Sequence, residues 1–436
     1  MVIKSLTRSD NVAVGLLKVN TSGLSVEAKY FLVRVVLEFA EQPVSLSVSE
    51  LSERFGMGRA AVKRARDELL TSDSGLGSGY LQKHFAPARS RTGLEATPRG
   101  RPRRGVILSE PLLHQIEDAE GDAGIRGAIL RTALFGGRKR VNCLATRDTP
   151  ESHGGLKERE SRLTVAGRLL LAALWALAGE GGVVKDASHS RLSKLTGMTQ
   201  LRVRDQLRRL QRLDYILIMV PGLTGRLVPG RAPGMVVLNY LHPEFAAVCR
   251  ADRYRMVRTL CDPLLPIIRA YEDADKIETS YPHGVAHGEG RNLSTTNDVS
   301  LGWNRVFSGE PHKERAQRYL TVKACEYVSN LLNGDVRHLM SSVYNINANV
   351  HSCMSRELFA NSGLARINRH LPDNLTNWLY RGVRAAARKA IEDVAASQGV
   401  TIKEMMHRIE SRCRHFQVIP DFQQIGFVMV TYEECI

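Results

Sequence analysis

Two stretches of this 436-residue chain carry one pattern in one register. Residues 51–69 read L-S-E-R-F-G-M-G-R-A-A-V-K-R-A-R-D-E-L, and residues 192–210 read L-S-K-L-T-G-M-T-Q-L-R-V-R-D-Q-L-R-R-L. Leu-Ser, Gly-Met and Val followed by a basic residue recur 141 positions apart. Apolar residues at helical spacing on either side of a Gly-Met pair predict two short helices joined by a tight turn, where glycine permits positive φ.

An apolar helix is expected before each pair. From Leu24, L-S-V-E-A-K-Y-F-L-V-R-V-V-L-E-F-A places Ala28, Leu32, Val35, Val36 and Phe39 at helical spacing, and L-T-V-A-G-R-L-L-L-A-A-L-W-A-L-A from Leu163 mirrors it. Ser47 with Glu50 has the spacing of a capping box. The third helix of the first copy, about Arg59–Leu70, would bury Val62, Ala65 and Leu69. It would turn outward Arg59, Ala60, Lys63, Arg64 and Asp67, with Arg66 beside them. The matching outward set of the second copy is Gln200, Leu201, Arg204, Asp205 and Arg208, with Arg202 adjacent.

Each copy continues into two strands around a loop. The first pair is expected at about Gly79–Phe85 and Gly105–Ser109, the second at Tyr215–Val220 and Met235–Tyr240. The first loop carries Arg89, Arg91, Arg99 and Arg101 and runs into Arg103 and Arg104; the second carries Arg226 and Arg231. Three helices followed by a basic hairpin outline a winged helix. There the outward face of the third helix lies in the major groove, and the loop reaches phosphates or the neighbouring groove. Asp73–Ser78, inserted before the first hairpin, breaks the register.

Charge fits a polyanion partner. The chain is +16 overall, and residues 1–110, 111–250 and 251–436 carry +6, +8 and +2. Double-stranded DNA is the expected partner.

With those residues in view, L-S-V-E-A-K…S-V-S-E-L-S-E-R-F-G-M-G-R-A-A-V-K-R-A-R-D-E-L…G-Y-L resembles the N-terminal winged helix of replisome-organiser-type proteins and related regulators of phages, plasmids and mobile elements. Two such units in tandem resemble plasmid replication initiators. The resemblance covers roughly residues 20–110 and 160–242 and implies DNA binding by both units. Pro98-Arg99-Gly100-Arg101-Pro102 is similar to the core of the AT-hook peptide, which implies insertion into a narrow A/T minor groove. A solvated loop touching phosphates is the alternative.

The remaining sequence sets limits. Met1–Asp10 has no apolar core of a secretory signal, and the longest apolar run, Leu169–Ala178, is too short to span a bilayer. Seven cysteines without C-x-x-C spacing suggest a reducing compartment, so a cytoplasmic, nucleoid-associated protein is expected. There is no phosphate loop or zinc-hydrolase helix, no histidine or cysteine pair has further partners at metal-ligand spacing, and no cofactor is expected. Arg381, Arg384 and Arg388 share a helix face that reads as solvated or salt-bridged.

The expected fold class is mainly α with small β-hairpin wings, comprising two winged-helix domains and a helical C-terminal domain. The segments are residues 20–110, a helix and linker at 111–160, residues 161–243, a second helix and linker at 244–300, and 301–436. A short strand is expected around Val12–Val19, a helix from Phe245 to about Asp275, and a closing strand at Gly426–Tyr432. The expected function is non-enzymatic, sequence-specific DNA binding, as a transcriptional regulator or alternatively as a replication initiator. The C-terminal domain would contact RNA polymerase or a replisome component, or form a homodimer.

Overall fold

Ser47 and Ser188 each start a helix with a hydroxyl that accepts from the backbone N–H three residues on. The Ser47 hydroxyl accepts from the Glu50 N–H (3.2 Å) while the Glu50 carboxylate accepts from the Ser47 N–H (2.7 Å), closing the capping box. The Ser188 hydroxyl accepts from the Arg191 N–H. The computed structural model describes residues 2–19, 23–39, 42–71, 79–86, 103–118, 124–135, 163–179, 182–222, 233–240, 242–245, 248, 255–259, 313–334, 339, 347–359, 371–405, 415–421 and 426–432. The described chain is mainly helical, with short strands in three small sheets. It divides into two compact units. The first comprises residues 1–216 and 238–252, and the second residues 217–237 and 253–436.

The first unit begins with α1 (Val2–Lys18) and α2 (Val26–Phe39), followed by α3 (Val48–Phe55) and α4 (Arg59–Thr71). Strands β1 (Leu81–Ala86) and β2 (Arg103–Leu108) pair antiparallel, Leu81 opposite Leu108 and Ala86 opposite Arg103. Val44, before α3, bridges Val106 of β2. After these come α5 (Glu110–Asp118) and α6 (Gly124–Ile129), which runs into a π-helical turn at Leu130–Leu134. The second copy has α7 (Val165–Leu177), β3 (Val183–Val184), α8 (His189–Thr196), α9 (Gln200–Arg212), β4 (Ile216–Val220) and β5 (Met235–Leu238). Strands β3, β5 and β4 lie in that order in one sheet, as Val44, β2 and β1 do in the first copy. The division between the units runs through the β4–β5 hairpin.

The two copies share their turn bond, their core positions and the closure of their hairpins. In each, a serine hydroxyl donates across the turn to a methionine carbonyl, Ser52 to Met57 and Ser193 to Met198, both at 2.6 Å. Gly56 and Gly197 both take the left-handed conformation that ends the preceding helix, with φ +66° and +71°. Leu51, Met57, Val62 and Leu69 are buried, and so are Leu192, Met198, Val203 and Leu210. Each hairpin closes on a tyrosine carbonyl: Tyr80 accepts from Ser109 N–H (3.1 Å), and Tyr215 from Asn239 N–H (3.0 Å). Those tyrosines are 135 positions apart, so the six residues Asp73–Ser78 account for the change from 141.

Two expectations are corrected. Val12–Val19 is helical through Lys18, within α1. Val12, Val14 and Leu16 alternate as in a strand, but Ala13 and Leu17 are buried as well, and α1 packs on α2, α5, α6 and α7. Arg255–Thr259, read as helix, is strand β6. It joins β8 (Gly426–Tyr432) and β7 (His415–Asp421) in an antiparallel sheet ordered β6–β8–β7. Pairing partners that lie some 170 positions away in sequence, such as Arg255 with Thr431, override the local helical spacing. The strand read at Gly426–Tyr432 is present as β8.

Within the second unit, α10 (Lys313–Leu332), α11 (Ala348–Met354), which continues as a π-helical turn to Phe359, and α12 (Leu371–Ser397) complete the fold. α10 packs on β7 and α12, and α12 on β6. Thr401 and Glu404 form a capping box, each backbone N–H donating to the other's side chain.

Helices α2 and α7 are buried on nearly every side. In α2 every residue from Ala28 to Leu37 is buried, including Lys29 and Arg34, and in α7 the run from Ala166 to Ala176 is interrupted only by Arg168. The physical reason is that α2 and α7 pack against each other and against α1, besides their own third helices α4 and α9.

Candidate nucleic-acid interface

Helix α4 is fixed from behind by Val62, Ala65 and Leu69, and α9 by Val203, Leu207 and Leu210. A second tie holds α4 at its far end. The Ser25 N–H and hydroxyl, at the start of α2, donate to the Glu68 carboxylate at 2.5 and 2.6 Å. Arg34 braces α3 from α2. Its guanidinium pairs with Glu38, donates to the Arg54 carbonyl (2.8 Å) and lies over the Phe55 ring. Behind the second copy, Tyr215 stacks on His242 and donates to Glu244 (2.8 Å), while Trp175 meets Tyr240 and Phe245 edge-on. Burial raises the Glu244 carboxyl and lowers the His242 imidazole from their ordinary values, so this cluster favours neutral forms.

With the buried sides fixed, the opposite faces point away from the core. Arg59, Ala60, Lys63, Arg64 and Asp67 are exposed on α4. Arg66 is only half-exposed and sits at the edge of that face, its Nε 3.8 Å from the Asp67 carboxylate. On α9, Gln200, Leu201, Arg202, Arg204, Asp205 and Arg208 are exposed, and Arg204 Nε lies 3.7 Å from the Asp205 carboxylate. Exposed pairs this loose contribute little and leave the guanidinium groups available to a stronger anion.

The loop residues divide differently. Arg103 and Arg104 occupy the first positions of β2, opposite Ala86 and Phe85. Arg89, Arg91, Arg99, Arg101, Arg226 and Arg231 lie outside the described residues, as does the Pro98–Pro102 segment. Arg381, Arg384 and Arg388 are on α12. Arg388 pairs with Glu392 at 3.2 Å, in keeping with a salt-bridged face.

Sequence reasoning missed the link between the copies. Lys29, only 4% exposed on α2, donates from Nζ to the Lys194 and Leu195 carbonyls (2.7 and 3.1 Å) at the C-terminal end of α8. Burial lowers its ammonium to about 8. The one available signal was a lysine in an otherwise apolar stretch of helix. The second unit holds another buried cation. Lys323 pairs with Glu357 (2.6 Å) and Glu326 (3.2 Å), and Glu357 also accepts from Tyr327 and Cys353. Burial opposes the Lys323 charge, but the two carboxylates outweigh it and hold the ammonium above its usual value. Burial and Glu357 push the Cys353 thiol up, which makes it a poor nucleophile.

Among the described residues no group of three or more His, Cys, Asp or Glu side chains could hold a metal ion. None of the described helices is long and apolar enough to cross a membrane. No protein-family model, curated protein or solved structure matches the chain.

Proposed function

We infer that the chain binds double-stranded DNA sequence-specifically through two winged helices, α4 and α9 each lying in a major groove. The observation that carries this reading is the paired construction of the third helices. Two copies that share a serine hydroxyl cap on the second helix, the turn bond, the core and the hairpin closure both turn basic residues outward, Arg59, Lys63 and Arg64 in one and Arg202, Arg204 and Arg208 in the other. The first 250 residues, which contain both copies, carry +14 of the net +16. Guanidinium groups there suit guanine edges and phosphates. The AT-hook-like loop would add a minor-groove or phosphate contact beside the first copy. Transcriptional regulation, in a mobile element, is the first reading of the biological role, with the second unit contacting RNA polymerase or a second copy.

Replication initiation is the second reading, and one observation favours it. The copies differ at their first outward position, Arg59 against Gln200, so a single chain reads a directional site rather than a palindrome. Directional sites suit an iterated array at an origin, where the second unit would recruit a replisome component. Genome-wide footprinting separates the roles. Sites at many promoters support regulation, and one iterated cluster beside an origin supports initiation. Absence of any duplex affinity at low salt would remove both.

A further inference from the structure

Leu201 is 59% exposed, the one exposed large hydrophobic side chain among the described residues. It sits in the first turn of α9, immediately after Gln200. At about 3.6 residues per turn, Leu201, Asp205, Arg208 and Arg212 share the face opposite Val203, Leu207 and Leu210. All four are exposed, so the leucine occupies the middle of the outward face rather than its edge.

Its surroundings discriminate between occupants. Arg202, Arg204, Arg208 and Arg212 accompany a single acid, Asp205. A second copy of this face would bring like charges together as it covered the leucine, which is unfavourable. A groove walled by phosphates is attracted instead. The major-groove edge of a base pair offers one apolar group, the C5 methyl of thymine, and aliphatic side chains are its usual partners. Gln200 carries a carboxamide, which can donate to and accept from the adenine edge together. At the matching positions the first copy has Arg59 and Ala60, a guanidinium suited to guanine and a much shorter apolar side chain.

We propose that Leu201 determines specificity by packing on the C5 methyl group of a thymine, with Gln200 reading an adenine beside it. The second copy then reads an A/T-containing step while Arg59 gives the first copy a guanine. This rests on the DNA-binding reading above and assigns the bases that each half of the site contains.

The test uses the full chain and a duplex obtained by selection from random sequence. Each thymine of that duplex is replaced in turn by deoxyuridine, which removes only the methyl group, and binding is followed by fluorescence anisotropy. One position should weaken wild-type binding about fourfold, the factor one buried methyl group is worth, and should leave the Leu201→Ala variant unaffected. An exposed leucine replaced by a strong helix former leaves the fold intact, which circular dichroism verifies. If the chain binds its selected duplex and no thymine shows a Leu201-dependent methyl effect, the proposal fails while DNA binding stands. If Leu201→Ala dissociates an oligomer without changing DNA affinity, the leucine serves self-association and the proposal fails. If no duplex is selected and low-salt affinity is absent, the underlying reading fails with it.

Discussion

The Lys29 ammonium caps the last turn of a helix in the other copy, 2.7 Å from the carbonyl oxygen of Lys194. Helix ends leave carbonyls without intrahelical partners, and here a side chain from α2 satisfies two of them on α8. The two copies are thereby joined by a polar contact as well as by the packing of α2 on α7.

Replacing that lysine tests the joint. Lys29→Met keeps the apolar stem and leaves the Lys194 and Leu195 carbonyls without this donor, which should cost about 1–3 kcal/mol in chemical denaturation. The cost should also depend on pH. Folded, the ammonium titrates near 8; unfolded, near 10.5. Between those values the unfolded chain holds the extra proton, so this group makes the fold more stable as pH rises through the window. The stability gap between wild type and Lys29→Met should therefore widen from pH 7 towards pH 10. A gap that stays constant would mean that the ammonium titrates normally.

The matched turns should respond alike to one change. Ser52→Ala and Ser193→Ala each remove a hydroxyl that donates at 2.6 Å to a methionine carbonyl. Each should cost roughly 1 kcal/mol, measured by thermal unfolding.

The matched glycines should respond differently. Both have positive φ, so alanine at either position carries a backbone penalty of roughly 1–2 kcal/mol. A β-carbon at Gly56 would meet open space, whereas one at Gly197 would collide with the Leu24 carbonyl oxygen. Gly197→Ala should therefore cost about 1–3 kcal/mol more than Gly56→Ala in the same measurement. Equal costs would show that the second turn does not press on Leu24.

Phosphate contacts have their own signature. Lys63→Ala and Arg204→Ala should weaken binding to all duplexes about equally and reduce the slope of log affinity against log salt by about 1 each. Arg59→Ala should instead relax preference at a single base pair, by roughly 1–3 kcal/mol.

The helix pairs were legible in sequence because their signals are local. The capping box at Ser47, the glycines at 56 and 197 and the Leu, Met and Val core positions all act within one or two turns of chain. What escaped was decided at a distance. Val12 and Val14 alternate as a strand would, yet contacts with four later helices make that stretch α1. Met256 and Val257 become β6 through pairing with Val430 and Met429. The all-round burial of α2 came from its packing against α7, which an amphipathic pattern for one exposed face could not convey. The outward residues of α4 and α9 were legible because three buried positions on each helix fix its rotation.

If both third helices hold DNA, a footprint on a selected duplex will show it. Three forms are compared: wild type, a triple variant with Arg59, Lys63 and Arg64 changed to Ala, and one with Arg202, Arg204 and Arg208 changed to Ala. These side chains are exposed, so both variants should fold. Wild type should protect one continuous site, and each variant should lose a different half of it. Protection that is unchanged in either variant, or absent from wild type at low salt, would mean that the third helices do not both hold DNA.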